Sequence, residues 1–143
     1  DEWYRIYSGV TEYLHRAHYR ARRYGMVWCM FGRSRLVPET KSALNGIISA
    51  GLRQAGNMPI QAGAQGIFKI GMYSLNHLYD AYEALGVVCR PLLQIHDEMI
   101  SEVSEEVAQD FAEQGKSILE TCVPLSVPLG CGYGIGNTWG DLK

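Results

Sequence analysis

Hydrophobic positions along the chain change period, and each change marks an expected element. Ile6, Val10, Tyr13, Leu14, Ala17, Ala21 and Tyr24 recur at helical spacing, and Gly25 stands where a helix stops. Arg16, Arg20 and Arg23 form a basic stripe off that apolar face. Met26 to Phe31 is apolar and strand-like, and Gly32-Arg33-Ser34-Arg35 turns it into Leu36-Val37-Pro38. Leu44, Ile47, Ile48, Leu52 and Ala55 predict a second helix from Ser42 to about Asn57, broken or kinked at Pro59. A long third helix follows, with Ala64, Ile67, Phe68, Gly71, Leu75, Leu78, Tyr82 and Leu85 on one stripe and Gly86 as its stop.

The period then shortens. Val87 to Ile95 reads as a strand interrupted at Arg90-Pro91, an edge or a bulge because proline cannot donate to a ladder. The run Leu92 to Ile95 meets Met99-Ile100-Ser101-Glu102-Val103, with no Gly or Pro between Leu92 and Val103. Two strands joined by a tight turn at His96-Asp97 are the simplest geometry, with Asp97 and Glu98 at the tip. Ser104-Glu105-Glu106 supplies a cap and first-turn acids for a fourth helix whose face is Val107, Ala108, Phe111, Ile118 and Cys122. Leu125, Val127, Leu129, Cys131, Tyr133 and Ile135 alternate strictly, which predicts a last strand. The expected fold class is α+β, a small antiparallel sheet with a β-hairpin packed against helices, in a single domain over residues 1–143.

Composition agrees with that picture. The 143 residues are 47% hydrophobic and 20% charged, as in a soluble globular domain. No apolar run approaches the roughly 20 residues of a membrane span, and no signal peptide is visible. The chain opens on Asp1, as expected of a piece of a longer product. The net charge of −2 hides an asymmetry: up to Arg53 nine basic residues face four acidic ones, a surplus of five, and beyond it four face eleven. The basic half suits a polyanion, and equally a solvated helix face. Cys29, Cys89, Cys122 and Cys131 form no C-x-x-C pair and read as reduced, mostly buried thiols of an intracellular protein. His15 and His18 lie three apart, but no Cys or carboxylate completes a zinc set.

Candidate chemistry concentrates in three places. Isolated carboxylates such as Asp97 and Glu98 are either ordinary solvated surface or a metal site. Arg33 and Arg35 at a glycine turn suit phosphate contact or a solvated hairpin turn. Arg53, Asn57 and Gln61 are spaced by four, so a kinked continuous helix puts all three on one face. Such a face donates to phosphates, sugars or base edges, or simply meets solvent. The glycine run from Gly130 to Gly136 lacks the Lys-Ser/Thr and the helix of a phosphate loop and is set aside.

Five stretches, in order and over nearly the whole chain, resemble the C-terminal part of family A DNA polymerases, the bacterial polymerase I and phage-type enzymes. Ala21-Arg22-Arg23-Tyr24-Gly25-Met26-Val27 is similar to the family's "ar-x-x-GYV", and Phe31 to Pro38 to its "GRRR-x-x-P". Arg53-x-x-x-Asn57-Met58-Pro59-Ile60-Gln61 resembles "R-x-x-x-N-x-P-I/V-Q". Leu92 to Glu98 resembles the catalytic "LLQ-V/I-HDE", and Gly134-Ile135-Gly136-Asn137-x-Trp139 resembles the family's ending.

The resemblance implies a part of a polymerase palm with adjoining fingers helices. It makes Asp97 a ligand of two catalytic magnesium ions, with Glu98 a weaker ligand or a brace. His96 is implied beside the primer terminus. Arg53, Asn57 and Gln61 are implied on the minor groove of the nascent pair and template, and Arg33 and Arg35 on the primer-template backbone. The Asp-Glu pair is also more like a DNA polymerase than the related single-subunit RNA polymerases, which tend to carry Asp-Ser. Expected partners are primer-template DNA, deoxynucleoside triphosphates and an N-terminal polymerase segment, with no membrane; the expected place is the cytoplasm of a bacterial or phage-infected cell.

Two departures stand out. After Gln61 the family reads Gly-Thr-Ala-Ala-Asp, whereas this chain reads Ala62-Gly63-Ala64-Gln65-Gly66, and Gly51 and Gly56 also weaken the helix. No Asp-Tyr-Ser-type strand and no Arg/Lys-rich fingers helix is present. The chain is therefore expected to be inactive alone and to expose a palm face open to self-association. The alternatives are a non-catalytic DNA-binding or assembly subunit and, with little support, a metal hydrolase using His96-Asp97.

Overall fold

Helix α1 (Glu2–Ile6) precedes α2 (Ser8–Tyr24), which ends where the sequence places its stop. Gly25 adopts φ 70°, and its N–H donates to the Ala21 carbonyl at 2.9 Å. That left-handed conformation is easy for glycine and awkward for residues with a Cβ. The computed structural model describes residues 2–142 and divides the chain into two compact units, Asp1–Gly66 and Ile67–Lys143.

In the first unit, β1 (Met26–Trp28) and β2 (Ser34–Leu36) pair antiparallel, Met26 opposite Leu36 and Trp28 opposite Ser34. Ala21, Val27, Val37 and Ala55 form its fully shielded core, with Met58 against them. The buried Thr40 hydroxyl lies 3.1 Å from the Ala21 carbonyl and 2.8 Å from the Val37 carbonyl, satisfying a group that would otherwise be costly to bury.

Helix α3 (Asn45–Ala84) is one element of 40 residues with Pro59 inside it. The expected separation into a helix ending near Asn57 and another after Pro59 is therefore corrected. A prolyl ring removes one i→i−4 hydrogen bond, a local cost of about 3 kcal/mol, and the helix continues through it. It also continues through Ala62 to Gly66, where the sequence departs from the family pattern. Gly51 and Gly66 of this helix are sites of close approach. A Cβ on Gly66 would lie 2.2 Å from Phe31 Cδ2, and one on Gly51 would lie 2.9 Å from Glu39 Cβ. Each glycine costs the helix up to ~1 kcal/mol relative to alanine and lets the hairpin loop and the Pro38–Lys41 3₁₀ turn pack against it.

In the second unit, Gly86 ends α3 with φ 80°. Strand β3 (Cys89–Ile95) pairs antiparallel with β4 (Glu98–Val103), with the register shifting between Pro91 and Leu93. This is the bulge expected at Pro91. Leu75, Leu78, Tyr79, Tyr82, Cys89 and Phe111 form the core, with Met99, Val103 and Ile118 among the side chains packed on it. Helix α4 (Ala108–Thr121) is preceded by a 3₁₀ turn, Glu105–Val107.

Two further expectations are corrected. The Ser104 hydroxyl does not cap the following helix; it accepts the Val88 N–H at 2.9 Å, tying the end of β4 to the start of β3. The strand expected over Leu125 to Ile135 is absent among the described residues, and the sheets are two separate hairpins rather than one sheet. Alternation fits a strand only where a neighbour supplies a ladder, and no described strand pairs with this segment.

Candidate functional site

The second hairpin is built to hold its tip rigidly. By strand alternation Met99, Ser101 and Val103 share one face of β4; Met99 and Val103 pack on the core, and the Ser101 and Tyr79 hydroxyls meet at 2.5 Å. On the other face Glu102 takes a bond from Arg90 Nε at 2.8 Å, an exposed cross-strand ion pair. Ile95 pairs with Glu98, so the turn is the two residues His96 and Asp97. His96 has φ 53° and is the only described non-glycine residue at positive φ. Hairpin turns of this length favour glycine or asparagine there. A non-glycine residue held in that region is strained by roughly 1–3 kcal/mol, a feature that clusters at functional sites. Gln94 Nε2 donates to the His96 carbonyl at 3.2 Å and steadies the turn.

His96, Asp97 and Glu98 are all exposed, as expected of a tip. Neither carboxylate makes a hydrogen bond or ion pair among the described residues. Their oxygens are hard donors of the kind Mg²⁺ takes, and Mg²⁺ is held by one or two carboxylates plus substrate phosphates rather than by an all-protein cage. Two adjacent acids fit that partial role. No group of three His, Cys, Asp or Glu side chains able to hold a metal occurs among the described residues.

In the first unit Arg53, Asn57 and Gln61 are exposed on one uninterrupted stretch of α3, as their spacing predicts. They cover about 12 Å of helix, at 1.5 Å per residue. None of the three side chains makes a hydrogen bond or ion pair among the described residues. Arg33 and Arg35 differ. Arg33 donates to the Ala62 carbonyl at 2.8 Å, and Arg35 to Gln54 Oε1 at 3.0 Å. Both guanidiniums are partly used in holding the first hairpin to α3. Burial raises the Cys29 thiol, but hydrogen bonds from the Phe31 and Arg33 backbone and the Arg33 side chain outweigh it and hold that thiol below its usual range.

One cluster differs from the basic stripe read from the sequence. His15, His18, Tyr19, Arg22 and Arg23 line an open depression on α2, whereas Arg16 and Arg20 lie outside it. The spacing i, i+3, i+4, i+7, i+8 is itself a helical face, so aromatic and histidine positions counted together with the arginines point to it.

The profile of DNA polymerase family A matches residues 1–141. The chain belongs to that family. It is 33% identical over 143 residues to the thermostable DNA polymerase I of Thermus aquaticus, covering all of this chain and 17% of that protein. It is 36% identical over 141 residues to the DNA polymerase I of Deinococcus radiodurans, covering 99% of this chain and 14% of that one. The chain thus spans about one-sixth of the curated relatives it matches. A solved structure of the POL domain of Pol1 from M. smegmatis, in complex with DNA primer-template and dNTP, superposes with a TM-score of 0.86. That match has 32% identity and covers 98% of this chain and 24% of that one. A family A polymerase segment thus has the α+β architecture described above, with no described helix long and apolar enough to cross a membrane.

Proposed function

We propose that this chain acts as the C-terminal palm segment, with adjoining fingers helices, of a DNA-directed DNA polymerase. Residues 1–143 form part of one domain in this reading, completed by an N-terminal segment on the same or a separate polypeptide. The observation that carries it is the tip of the second hairpin: two exposed, unpaired carboxylates, Asp97 on the strained two-residue turn and Glu98 at the start of β4, over a packed core.

Asp97, with Glu98 beside it, would hold magnesium together with carboxylates from the N-terminal segment. Two such ions, when bound, clamp attacking and leaving oxygens and offset charge on the transferred phosphoryl group. This chain's own residues do the positioning. The His96 turn aims the acids away from the core, and His96 itself stands beside them for the primer terminus. Arg53, Asn57 and Gln61 donate to the acceptors that every base pair presents in the minor groove, testing pair geometry rather than identity. Arg33 and Arg35 add backbone contacts while bracing the first hairpin.

Primer-template DNA and deoxynucleoside triphosphates are the substrates in this reading, supported by the primer-template and dNTP held in the M. smegmatis complex. The bacterial relatives and the four free cysteines support a cytoplasmic setting in a bacterial or phage-infected cell. Exposed Leu92 and Leu93 on β3, and the outer edges of its two-stranded sheet, support a partner or self-association face.

The test is complementation. The chain is mixed with an N-terminal family A segment that carries the other catalytic aspartate and the nucleotide-binding helix, and magnesium-dependent primer extension is followed. Extension by the mixture and by neither part alone is expected. A mixture no more active than its parts overturns the reading and favours a second one, a non-catalytic DNA-binding or assembly subunit. The basic surplus of the first unit supports that second reading.

A further inference from the structure

The proposed minor-groove residues leave a second cationic surface of the first unit without a role. Ala17 and Ala21 carry α2 onto the core, and His15, Tyr19, Arg22 and Arg23 are exposed on another face with half-buried His18 between them. Among the described residues Arg22 and Arg23 have no carboxylate within 4.0 Å, whereas Arg5 pairs with Glu2 and Arg16 with Glu12. Lys41 Nζ donates to the Arg22 carbonyl and adds a third cation at the same end. The helix dipole accounts for basic residues in the last turn. It does not account for Tyr19, an exposed ring set between two histidines and two arginines. Unpaired cations beside an open aromatic face are the combination that holds single strands: charge tracks the phosphates and the ring stacks on a base. Burial lowers the pKa of His18, a hydrogen bond it donates to the Leu52 backbone opposes this, and the charges of Arg22 and His15 add smaller lowering effects.

We infer that this face of α2 binds a single strand of nucleic acid, with Arg22 and Arg23 on phosphates and Tyr19 against a base. It is a second contact, separate from the proposed minor-groove residues, and does not depend on any role of Asp97.

The experiment titrates the 143-residue chain into a labelled oligo(dT) and a blunt duplex of equal length, read by fluorescence anisotropy at two salt concentrations. Arg22→Gln combined with Arg23→Gln is expected to weaken oligo(dT) binding about tenfold at low salt. The salt slope should become shallower by about 1.4, at 0.7 per lost phosphate contact. Tyr19→Ala is expected to weaken it roughly fivefold or more, with Tyr19→Phe retaining binding because the ring remains. Arg20→Gln, which removes the same charge outside the depression, should cost much less than Arg22→Gln. Equal losses from Arg20→Gln and Arg22→Gln, or a harmless Tyr19→Ala, would overturn the inference in favour of diffuse charge. Loss of oligo(dT) binding in these variants alongside failed complementation removes the polymerase reading alone; successful complementation without oligo(dT) binding removes this inference alone.

Discussion

The two units are both a β-hairpin beside part of α3, yet they are built by opposite means. The first carries nine basic against four acidic residues, and the second four against eleven. The first hairpin has strands of three residues with only Val27 buried, and it is held by two arginines bonded to α3 and by Gly66, which admits Phe31. The second has longer strands and is held by an aromatic core, with Phe111 centred 5.1 Å from Tyr79 and 5.7 Å from Tyr82. A hairpin anchored by a core can leave its tip charged and unpaired. A hairpin anchored by its own arginines commits that charge to structure. The difference separates Asp97 and Glu98, which make no internal bond among the described residues, from Arg33 and Arg35, already partly engaged.

The largest expected effect falls on the second unit's core. Phe111→Ala should cost about 3–5 kcal/mol, the usual loss for a buried phenylalanine. Hydrogen exchange should accelerate in β3, β4 and α4, while α2 keeps its protection. If α2 loses protection equally, the two units do not have separate cores.

Gly66→Val should destabilise the first unit by about 1–3 kcal/mol through overpacking, measured by urea unfolding. Its Cβ would meet the Phe31 ring, so adding Phe31→Ala should recover part of the loss. A harmless Gly66→Val would show that the close approach is not tight.

Arg33→Gln should cost about 1 kcal/mol, the order of a lost hydrogen bond, and loosen the first hairpin. An unchanged unfolding midpoint would show that Arg33 does not brace the hairpin.

The smallest effect is a pH slope in the second unit. Hydrogen bonds from Tyr82 and Gln114 hold Asp110 below the usual carboxylate range against a smaller opposing effect of burial. Its contribution is present above the unfolded pKa and is lost as pH falls through the folded one. The same hydrogen bond, then burial, pushes Tyr82 up to about 12 from 10.0. Stability from Tyr82 is therefore full below pH 10 and declines as pH rises towards 12. Tyr82→Phe should flatten both limbs in thermal melts; unchanged slopes would show that the pair is not coupled.

How much of this was legible depends on whether a residue's partners are local. Gly25 and Gly86 stop helices through their own backbone, and Pro91 makes a bulge because it lacks a donor, so sequence reading placed all three. The His96-Asp97 turn was legible for the same reason. Leu125 to Ile135 alternates, but a strand needs a distant partner, which periodicity does not supply. Ser104 looked like a cap because the competing donor, Val88 N–H, lies sixteen residues away. Gly51 and Gly56 read as weak points of a helix by propensity alone, yet Glu39 and Thr40 pack against the first and Leu14 against the second. The exposure of Arg53, Asn57 and Gln61 followed from spacing, whereas the internal bonds of Arg33 and Arg35 did not.

In the proposed function Asp97 is a metal-holding acid of a polymerase site completed by another segment. The most direct measurement is the magnesium-dependent extension rate of the complemented mixture with Asp97→Ala, after circular dichroism shows the variant folded. Loss of a metal clamp worth several kcal/mol predicts a fall of at least about a hundredfold, at tenfold per 1.36 kcal/mol. A folded Asp97→Ala variant that extends primers at the parent rate would rule out that role for Asp97.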